Sequence, residues 1–422
     1  MPLEAEPTHY SAALVLVSTS KVSSGRCLEL RIKRQCPSFG MAAVSTVRKL
    51  KEIASIAVRG NESLRRNETS TTKRLNMSRK LLLGIGIALA VASIGASTSL
   101  AAEPTKSVDT TKAVSVFILM GQSNMVGMGK IAGGEGSLEN AVKNKNKYTY
   151  LADDAGNWSE HKGVRNVRVM VGKGGDMQVF NNEWMTVKGT KTIGPEFGIG
   201  QVVGNAVDAP AMILKSCIGN RSLGWDLLPP GSESFEFEGK IYAGYKESPD
   251  SWPKGSEPKP IGWYAGKQYD DDVANAKKVL AELDKYYPGA TKYEVAGFFF
   301  WQGEKDCGNA GHAARYEQNL VRFIKQLRKD FDAPNAKFVL ATLGEATKGC
   351  EGNEGMVLNA QLAVDGASGK HPEFKGNVAT VYTNPLSKGG SGNSHYGGNA
   401  ETYMDVGEAM GQAMAGLLKN PK

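Results

Sequence analysis

The sequence contains few cysteines and few histidines. Five of each occur in 422 residues, and only Cys217, Cys307 and Cys350 follow residue 102. No pair of cysteines has the short spacing of a zinc site, and the sequence predicts neither a metal nor another cofactor. An odd number of cysteines allows one disulfide bond and one free thiol.

An excess of charge of one sign is also lacking once the N-terminal region is set aside. The whole chain has a formal net charge of +8, but residues 1–102 hold 15 Lys and Arg against 6 Asp and Glu. The rest of the chain is therefore near neutral. A near-neutral domain has no basic surface of the kind that attracts nucleic acid, and we expect no nucleic acid partner.

A single long uncharged run, Leu81–Ala96, is too short for a membrane span. It has 16 residues, whereas a spanning helix needs about 20. The basic pair Arg79-Lys80 precedes it, and small residues follow it as far as a cleavage point near Ala101 and Ala102. This pattern is typical of a secretory signal peptide over residues 77–102. The alternative is a membrane anchor, and we expect no stable anchor.

A signal peptide should begin a protein, yet 76 residues precede this one. Residues 1–76 show no convincing periodicity and are assigned no fold. We interpret them as a leader of doubtful translation, with Met77 as the start; the alternative is a true N-terminal extension. Export to the periplasm or the medium is expected, with a linker over 103–112 and one domain over 113–420.

Short apolar runs alternate with amphipathic stretches along that domain. The runs predict buried strands at 113–120, 209–217, 293–301, 336–343 and 376–383. The amphipathic stretches predict helices at 194–207, 269–287, 314–331, 354–367 and 399–418. This alternation indicates an α/β fold in which a five-stranded parallel sheet of flavodoxin-like order lies between two helix layers. Long insertions occupy 131–192 and 219–263. Cys307 and Cys350 follow the third and fourth strands, and we expect them to be bridged, leaving Cys217 free and buried.

Polar residues follow these strands where ligands bind in parallel sheets, at the carboxyl ends. Ser123 comes after the first strand, at a helix N-terminus that favours developing negative charge, although an ordinary N-cap serine would look alike. Gly219 and Asn220 follow the second strand, and Gln302 and Glu304 the third.

His395 lies in a glycine-rich loop before the last helix. Together with the serine, the amide and the acid it completes the parts of nucleophilic acyl transfer: a nucleophile, a base, an orienting acid and oxyanion donors. The serine motif is not G-x-S-x-G, because residue 125 is Met, so an α/β-hydrolase elbow fits poorly.

The motifs resemble those of the SGNH (GDSL-like) hydrolase superfamily, and more closely the sialate O-acetylesterase domain and carbohydrate esterase family six. The resemblance covers residues 113–418 and rests on GQSNM, GPEFGIG, KSCIGNRSLGWD, WQGEKD and HYGGNAETYMDVGEAM. It implies a three-layer SGNH hydrolase fold. It also implies that Ser123 is the nucleophile, that His395 is the base, and that the Ser123 N–H, Gly219 and Gln302 form the oxyanion hole.

The triad acid departs from the superfamily pattern, which commonly places Asp three residues before the histidine. That position is Gly392 here. Glu304 is the best candidate for the acid, Asp306 is the runner-up, and Asp405 is less favoured. The glycine block also differs, with Asn220 after Gly219, which leaves the donor amide open.

The resemblance implies hydrolysis of O-acetyl esters on a carbohydrate, a polysaccharide or sialic acid, through an acyl-enzyme without a metal. We expect Gln122, Asn220 and Trp225 to contact this substrate. The aromatic residues Trp225, Trp252, Trp263 and Tyr264 either stack on sugar rings or anchor the insertion. The alternatives are a lipid acyl hydrolase or lysophospholipase, and a non-catalytic carbohydrate-binding protein.

Overall fold

The computed structural model describes the backbone of residues 16–22 and 25–31, residue 109, and residues 111–419. The predicted signal peptide lies outside the described residues. Strands β1 (Leu16–Val22) and β2 (Gly25–Arg31) pair antiparallel, within the segment to which the sequence assigns no fold. The chain divides into two compact units after Thr98, and the second unit is described by itself below.

The strands of the second unit are of two kinds: those of one large sheet and short ribbons in the insertions. They are β3 (Val114–Gly121), β4 (Gly129–Lys130), β5 (His161–Val171), β6 (Met177–Met185), β7 (Thr192–Ile193), β8 (Ala211–Ser216), β9 (Phe235–Phe237), β10 (Lys240–Tyr242), β11 (Ser251–Pro253), β12 (Tyr293–Trp301), β13 (Lys337–Ala341) and β14 (Val378–Val381).

The helices range from single turns to five turns or more. They are α1 (Ser123–Val126), α2 (Leu138–Lys143), α3 (Glu196–Ala206), α4 (Lys267–Ala281), α5 (Leu283–Tyr286), α6 (Glu304–Cys307), α7 (Ala310–Asp330), α8 (Gly352–Ala363) and α9 (Ala400–Lys419). Short 3₁₀ turns occur at Thr149–Leu151, Pro372–Phe374, Asn384–Leu386 and His395–Gly398. None of the helices in the described part of the chain combines the length and apolarity that a membrane span requires.

The large sheet has seven strands in the order β14-β13-β12-β3-β8-β5-β6. All neighbours are parallel except β5 and β6, which form an antiparallel hairpin. The five strands predicted from the sequence are adjacent. The predicted count of five is wrong, because the first long insertion contributes β5 and β6 beside β8.

Side chains of the central strand β3 alternate between the two faces of the sheet, as the pleat requires. Val116, Ile118 and Met120 join a core beneath α4, α7 and α8. Phe117 and Leu119 join a second core beneath α3 and α9. The sheet therefore lies between two helix layers.

Helix α7 shows why these segments fold as predicted. Tyr316, Leu320, Phe323, Ile324 and Leu327 are buried along it, which is one apolar stripe at helical spacing. The side chain of Asn309 caps its N-terminus by accepting hydrogen bonds from Gly311 N and His312 N.

The chain turns sharply where β3 ends. Gly121 has a φ of +145°, and a Cβ there would overlap the carbonyl oxygen of Trp301 on the neighbouring strand. Only glycine suits this close approach. The turn places Ser123 at the first position of α1.

Candidate active site

A cleft of about 750 Å³ lies where β3, β8, β12 and β14 lead into their connections. It brings together most of the site residues predicted from the sequence. These are Gln122, Ser123, Gly219, Asn220, Trp225, Glu304 and His395. Residues separated by more than 270 positions in the chain thus share one surface.

Ser123 is partly exposed to this cleft, whereas Asn124, Met125 and Val126 behind it are buried. Gly219 packs directly against it: a Cβ on Gly219 would lie 3.4 Å from the Cβ of Ser123. The backbone after β8 therefore lies in contact with the nucleophile candidate.

Left-handed backbone conformations occur at non-glycine residues of the cleft. Asn220 has a φ of 58° and His395 a φ of 55°. Such conformations cost free energy for residues with a Cβ, and they cluster at functional sites. Both loops are therefore held by their surroundings in shapes that the isolated chain disfavours.

Glu304, which follows β12, is hydrogen-bonded to the residues on either side of the nucleophile candidate Ser123. Its carboxylate accepts hydrogen bonds from Gln122 Nε2 at 2.5 Å and from Asn124 Nδ2 at 2.6 Å. Burial raises the pKa of the Glu304 carboxyl to about 7, and the nearby charge of Glu345 adds to this effect. Two members of the GQSN motif are thus fixed by the glutamate of the WQGE motif.

Gly392 lies directly against two carboxylates. A Cβ on Gly392 would lie 2.6 Å from Glu304 Oε1 and 2.7 Å from Glu345 Oε2. The N–H of Gly392 donates to Glu345 Oε2 at 2.9 Å, and its carbonyl accepts from Asn124 Nδ2 at 3.1 Å. The space beside Gly392 is occupied by the carboxylates of Glu304 and Glu345, which follow β12 and β13.

Glu345 is a site residue that sequence reasoning missed. It follows β13, in the segment Leu343-Gly344-Glu345 at the same edge of the sheet as the other site residues. A carboxylate directly after the fourth predicted strand was the signal that could have found it.

The ring of His395 lines the cleft, but it is hydrogen-bonded neither to Ser123 nor to any carboxylate within residues 111–419. Catalytic hydrogen bonds are commonly long before substrate binds and tighten afterwards. The two carboxylates that ranked behind Glu304 as triad acid are engaged elsewhere. Asp306 accepts from Leu223 N and Gly224 N at 2.8 Å each, and Asp405 is bonded to Lys147, Tyr148 and Lys388.

Gln302 lies beneath the cleft and is fully buried. Its amide nitrogen donates to Arg221 O at 3.0 Å and to Asp306 Oδ2 at 2.6 Å, while its Oε1 accepts from the Tyr316 hydroxyl. A primary amide has two N–H donors, and both are used. In this arrangement Gln302 holds the loop after β8 and has no N–H left for the oxyanion role expected of it.

Of the four aromatic candidates in the second insertion, Trp225 alone lines the cleft. Trp263 is covered by Arg221 and Lys267, and the hydroxyl of Tyr264 donates to Asp270. Trp252 packs against a small core of Leu228, Ala243 and Ala265, as does Trp225. Trp252, Trp263 and Tyr264 therefore anchor the insertion, whereas Trp225 both packs on this core and lines the cleft.

All three cysteines of this unit are free thiols. The predicted bridge between Cys307 and Cys350 is therefore wrong. Cys217 is free and buried as expected, and burial raises the pKa of its thiol to about 12, which makes it a poor nucleophile. Within the described residues, no group of three or more His, Cys, Asp or Glu side chains is arranged to hold a metal ion.

A protein-family model for carbohydrate esterases, sialic acid-specific acetylesterases, matches residues 249–416. The matched region includes Gln302, Glu304 and His395, and it begins after Ser123. The family resemblance inferred from the sequence motifs is confirmed over this region. A comparison with curated proteins finds no similar sequence.

Three solved structures show partial likeness. A protein from Arabidopsis thaliana is 17% identical, and the match covers 74% of this chain and 100% of that chain, with a TM-score of 0.40. A carbohydrate acetylesterase from Xanthomonas citri is 12% identical, with 72% of this chain and 56% of that chain covered and a TM-score of 0.43. NanS is 15% identical over 64% of this chain and 77% of that chain, with a TM-score of 0.34.

Proposed function

We propose that this chain, a carbohydrate esterase by the family match over residues 249–416, removes O-acetyl groups from carbohydrates through an acyl-enzyme formed on Ser123. The observation that carries the proposal is the single cleft in which Ser123, Glu304 and His395 meet. We also infer that the fold is that of the SGNH hydrolases. The adjacency of β8, β3, β12, β13 and β14, in that order, supports this inference.

In the proposed reaction, Ser123 Oγ attacks the carbonyl carbon of the acetyl ester as His395 takes its proton. The sugar alcohol leaves with that proton, and the acetyl group remains on Oγ. Water, deprotonated by His395, then attacks the acyl-enzyme and releases acetate. A carboxylate near the base stabilises the imidazolium that forms in both steps, and we assign this role to Glu304, which lines the same cleft as His395.

The oxyanion would be held by backbone groups. The Ser123 N–H and the Gly219 backbone lie together at the cleft, and preorganised N–H donors of this kind contribute strongly to acyl transfer. Gln122 lines the cleft, where its Nε2 donates to Glu304, and we expect its side chain to contact the substrate.

Lipid hydrolysis is the competing activity within the same chemistry. It requires an apolar trough for the acyl chain, whereas Asn220, Asp250, Lys305 and Asn309 line this cleft. Rates on p-nitrophenyl acetate and p-nitrophenyl palmitate separate the activities. We expect cleavage of the acetate and little of the palmitate. A non-catalytic binding protein would cleave neither.

Ser123→Ala should abolish esterase activity and leave the fold intact, because no other group at the cleft forms the acyl-enzyme. Loss of a triad nucleophile typically lowers kcat by several orders of magnitude. The measurement is acetate release by the purified variant, with circular dichroism as the control for folding. A folded variant that keeps more than about a tenth of the wild-type kcat would show that Ser123 is not the nucleophile.

A further inference from the structure

The cleft contains a hydrogen-bonded pair of a histidine and an acid that the proposed ester hydrolysis does not use. His312 Nε2 lies 2.7 Å from Asp250 Oδ1, and both residues line the cleft with Ser123 and Trp225. His312 is 5% exposed, whereas the side chain of Asp250 is 37% exposed. The pair therefore consists of a buried ring and a carboxylate that faces solvent in the cleft.

The His312 ring is fixed from several sides. His312 is the third residue of α7, and its backbone N–H donates to Asn309 Oδ1 at 3.3 Å. The ring meets Tyr242 edge to face at 5.7 Å between centroids. A Cβ on Gly224 would lie 2.5 Å from His312 Cγ, so the loop packs on the ring only because residue 224 is glycine.

The charges of the surroundings favour an ion pair. Burial alone would lower the pKa of His312, but the hydrogen bond to Asp250 and the charge of Asp306 outweigh it and raise the pKa above its ordinary value. A paired histidine holds the Asp250 carboxylate in one orientation and leaves it lone pairs to accept further hydrogen bonds.

Trp225 completes the arrangement. It follows Gly224 directly in the chain, so the loop that packs on the His312 ring also carries the indole of the cleft. Its own backbone is anchored, because its carbonyl accepts from Gly266 N at 2.8 Å. A fixed carboxylate and a half-buried indole in one cleft match a pyranose ring, which has hydroxyl donors at its edge and an apolar C–H face.

We propose that Trp225, Asp250 and His312 form a subsite that binds a pyranose unit of the acetylated glycan while its acetyl group lies between Ser123 and His395. Asp250 accepts from ring hydroxyls, His312 orients that carboxylate, and the indole covers the C–H face. This inference rests on the proposed function and adds to it the side of the cleft that recognises the sugar.

The test compares two kinds of substrate on the same variants. Partially O-acetylated xylo-oligosaccharides and O-acetylated N-acetylneuraminic acid carry free hydroxyls, and p-nitrophenyl acetate carries none. For Asp250→Asn, His312→Gln and Trp225→Ala, the ratio of kcat/KM on the better sugar to kcat/KM on p-nitrophenyl acetate should fall about tenfold, which corresponds to about 1.4 kcal/mol. The fall should appear mainly as a higher KM.

His371→Gln is the matched control. His371 lies 2.9 Å from Glu317 in a similar pair outside the cleft, and its loss should leave the ratio unchanged. Thermal unfolding shows whether His312→Gln is folded, and the exposed Asp250→Asn carries the test if it is not. An unchanged ratio in Asp250→Asn and Trp225→Ala overturns the subsite. So does a wild type that cleaves p-nitrophenyl acetate but neither sugar, while inactivity on all three substrates overturns the proposed function itself.

Discussion

Gly392 stands at the position where the sequence motifs would predict the triad aspartate. A Cβ there would lie 2.6 Å from Glu304 Oε1 and 2.7 Å from Glu345 Oε2, so a side chain at this position would require both glutamates to shift. We expect the triad acid to come from another strand end, and Glu304 is the best candidate because it also holds Gln122 and Asn124 on either side of Ser123. A carboxylate has about four acceptor sites, so these two bonds leave acceptor sites on Glu304 free.

Glu304→Gln should therefore lower kcat by orders of magnitude with little change in KM, because the lost charge matters most in the transition state. Asp306→Asn should reduce kcat much less. Asp306 supports Leu223, Gly224 and Gln302, so its variant should instead lose thermal stability. Steady-state kinetics on p-nitrophenyl acetate and melting temperatures check both expectations. If Asp306→Asn lowered kcat more than Glu304→Gln did, Asp306 would be the acid. If both variants kept the wild-type kcat, Ser123 and His395 would act as a dyad without an acid.

The sequence was sufficient to predict which residues lie at the cleft, but not which hydrogen bonds their side chains make. Ser123, Gly219, Glu304 and His395 were found because each follows a strand of a parallel sheet, and the fold brings such positions to one edge. Gln302 follows a strand as well, yet its N–H groups are bonded to Arg221 and Asp306. Which partners a buried amide finds depends on packing between distant segments, which no local pattern reveals.

Among the strands, those buried on both faces were predicted from the sequence. Those interrupted by polar residues were missed. The five continuous apolar runs all became strands of the sheet. β5 carries Arg165, Asn166 and Arg168, so its sequence does not read as a buried run. Arg165 is nevertheless buried, since its guanidinium donates to Tyr286 O and to Asn182. The glycine-rich turn over 172–176 was the available hairpin signal.

The GPEFGIG motif, residues 194–200, supplies one member of a buried ion pair. Lys215 of β8 is fully buried, and its Nζ donates to Glu196 Oε2 at 2.6 Å and to Val126 O at 2.9 Å. Glu196 Oε1 accepts in turn from Gly194 N at 3.1 Å. Burial lowers the pKa of Lys215 despite this partner. Lys215 and Glu196 thus join β8 and α3 to Val126, the last residue of α1.

Removing one member of this pair should cost far more than removing both. Lys215→Met leaves Glu196 buried without its cation, and broken buried pairs typically cost about 3–5 kcal/mol. The double variant Lys215→Met/Glu196→Gln should recover much of that loss. Denaturant unfolding measures both, with Lys143→Met as the control, since its exposed pair with Glu139 should contribute less than about 1 kcal/mol. A double variant less stable than Lys215→Met would show that the motif does not act through this ion pair.

For the whole chain, we propose that the signal peptide over residues 77–102 directs export and is then removed near Ala101 and Ala102. The basic pair, the apolar run of 16 residues and the small residues after it support this. Expression from Met77 should yield an exported, active esterase, and N-terminal sequencing should find a mature end between Ala101 and Thr105. A mature end near Met1, together with failed export from Met77, would contradict the proposal.

An ion-pair network joins three distant parts of the second unit around the start of α9. Glu401 is bonded to Lys145 at 2.6 Å, to Lys147 at 3.0 Å and to Lys388 at 3.4 Å. Asp405 shares Lys147 and Lys388. The first insertion and the loop that leads to His395 are therefore held to the last helix by the same carboxylates. Networks of this kind contribute more than isolated surface pairs.

Acid should break this ion-pair network by protonating the Glu401 carboxylate. Burial alone would raise its pKa, but the hydrogen bonds from Lys145 and Lys147 and the charge of Lys147 and Lys388 lower it to about 2. A depressed carboxyl pKa stabilises the folded state above the unfolded value, and that stabilisation is lost as pH falls from about 4.5 to about 2. Urea midpoints of the wild type should fall steeply in this window. Those of Glu401→Gln should start lower at pH 7 and fall less, while the exposed Glu139→Gln should follow the wild type. If the urea midpoints of Glu401→Gln and the wild type fell in parallel with pH, protonation of Glu401 would not be what breaks the ion-pair network.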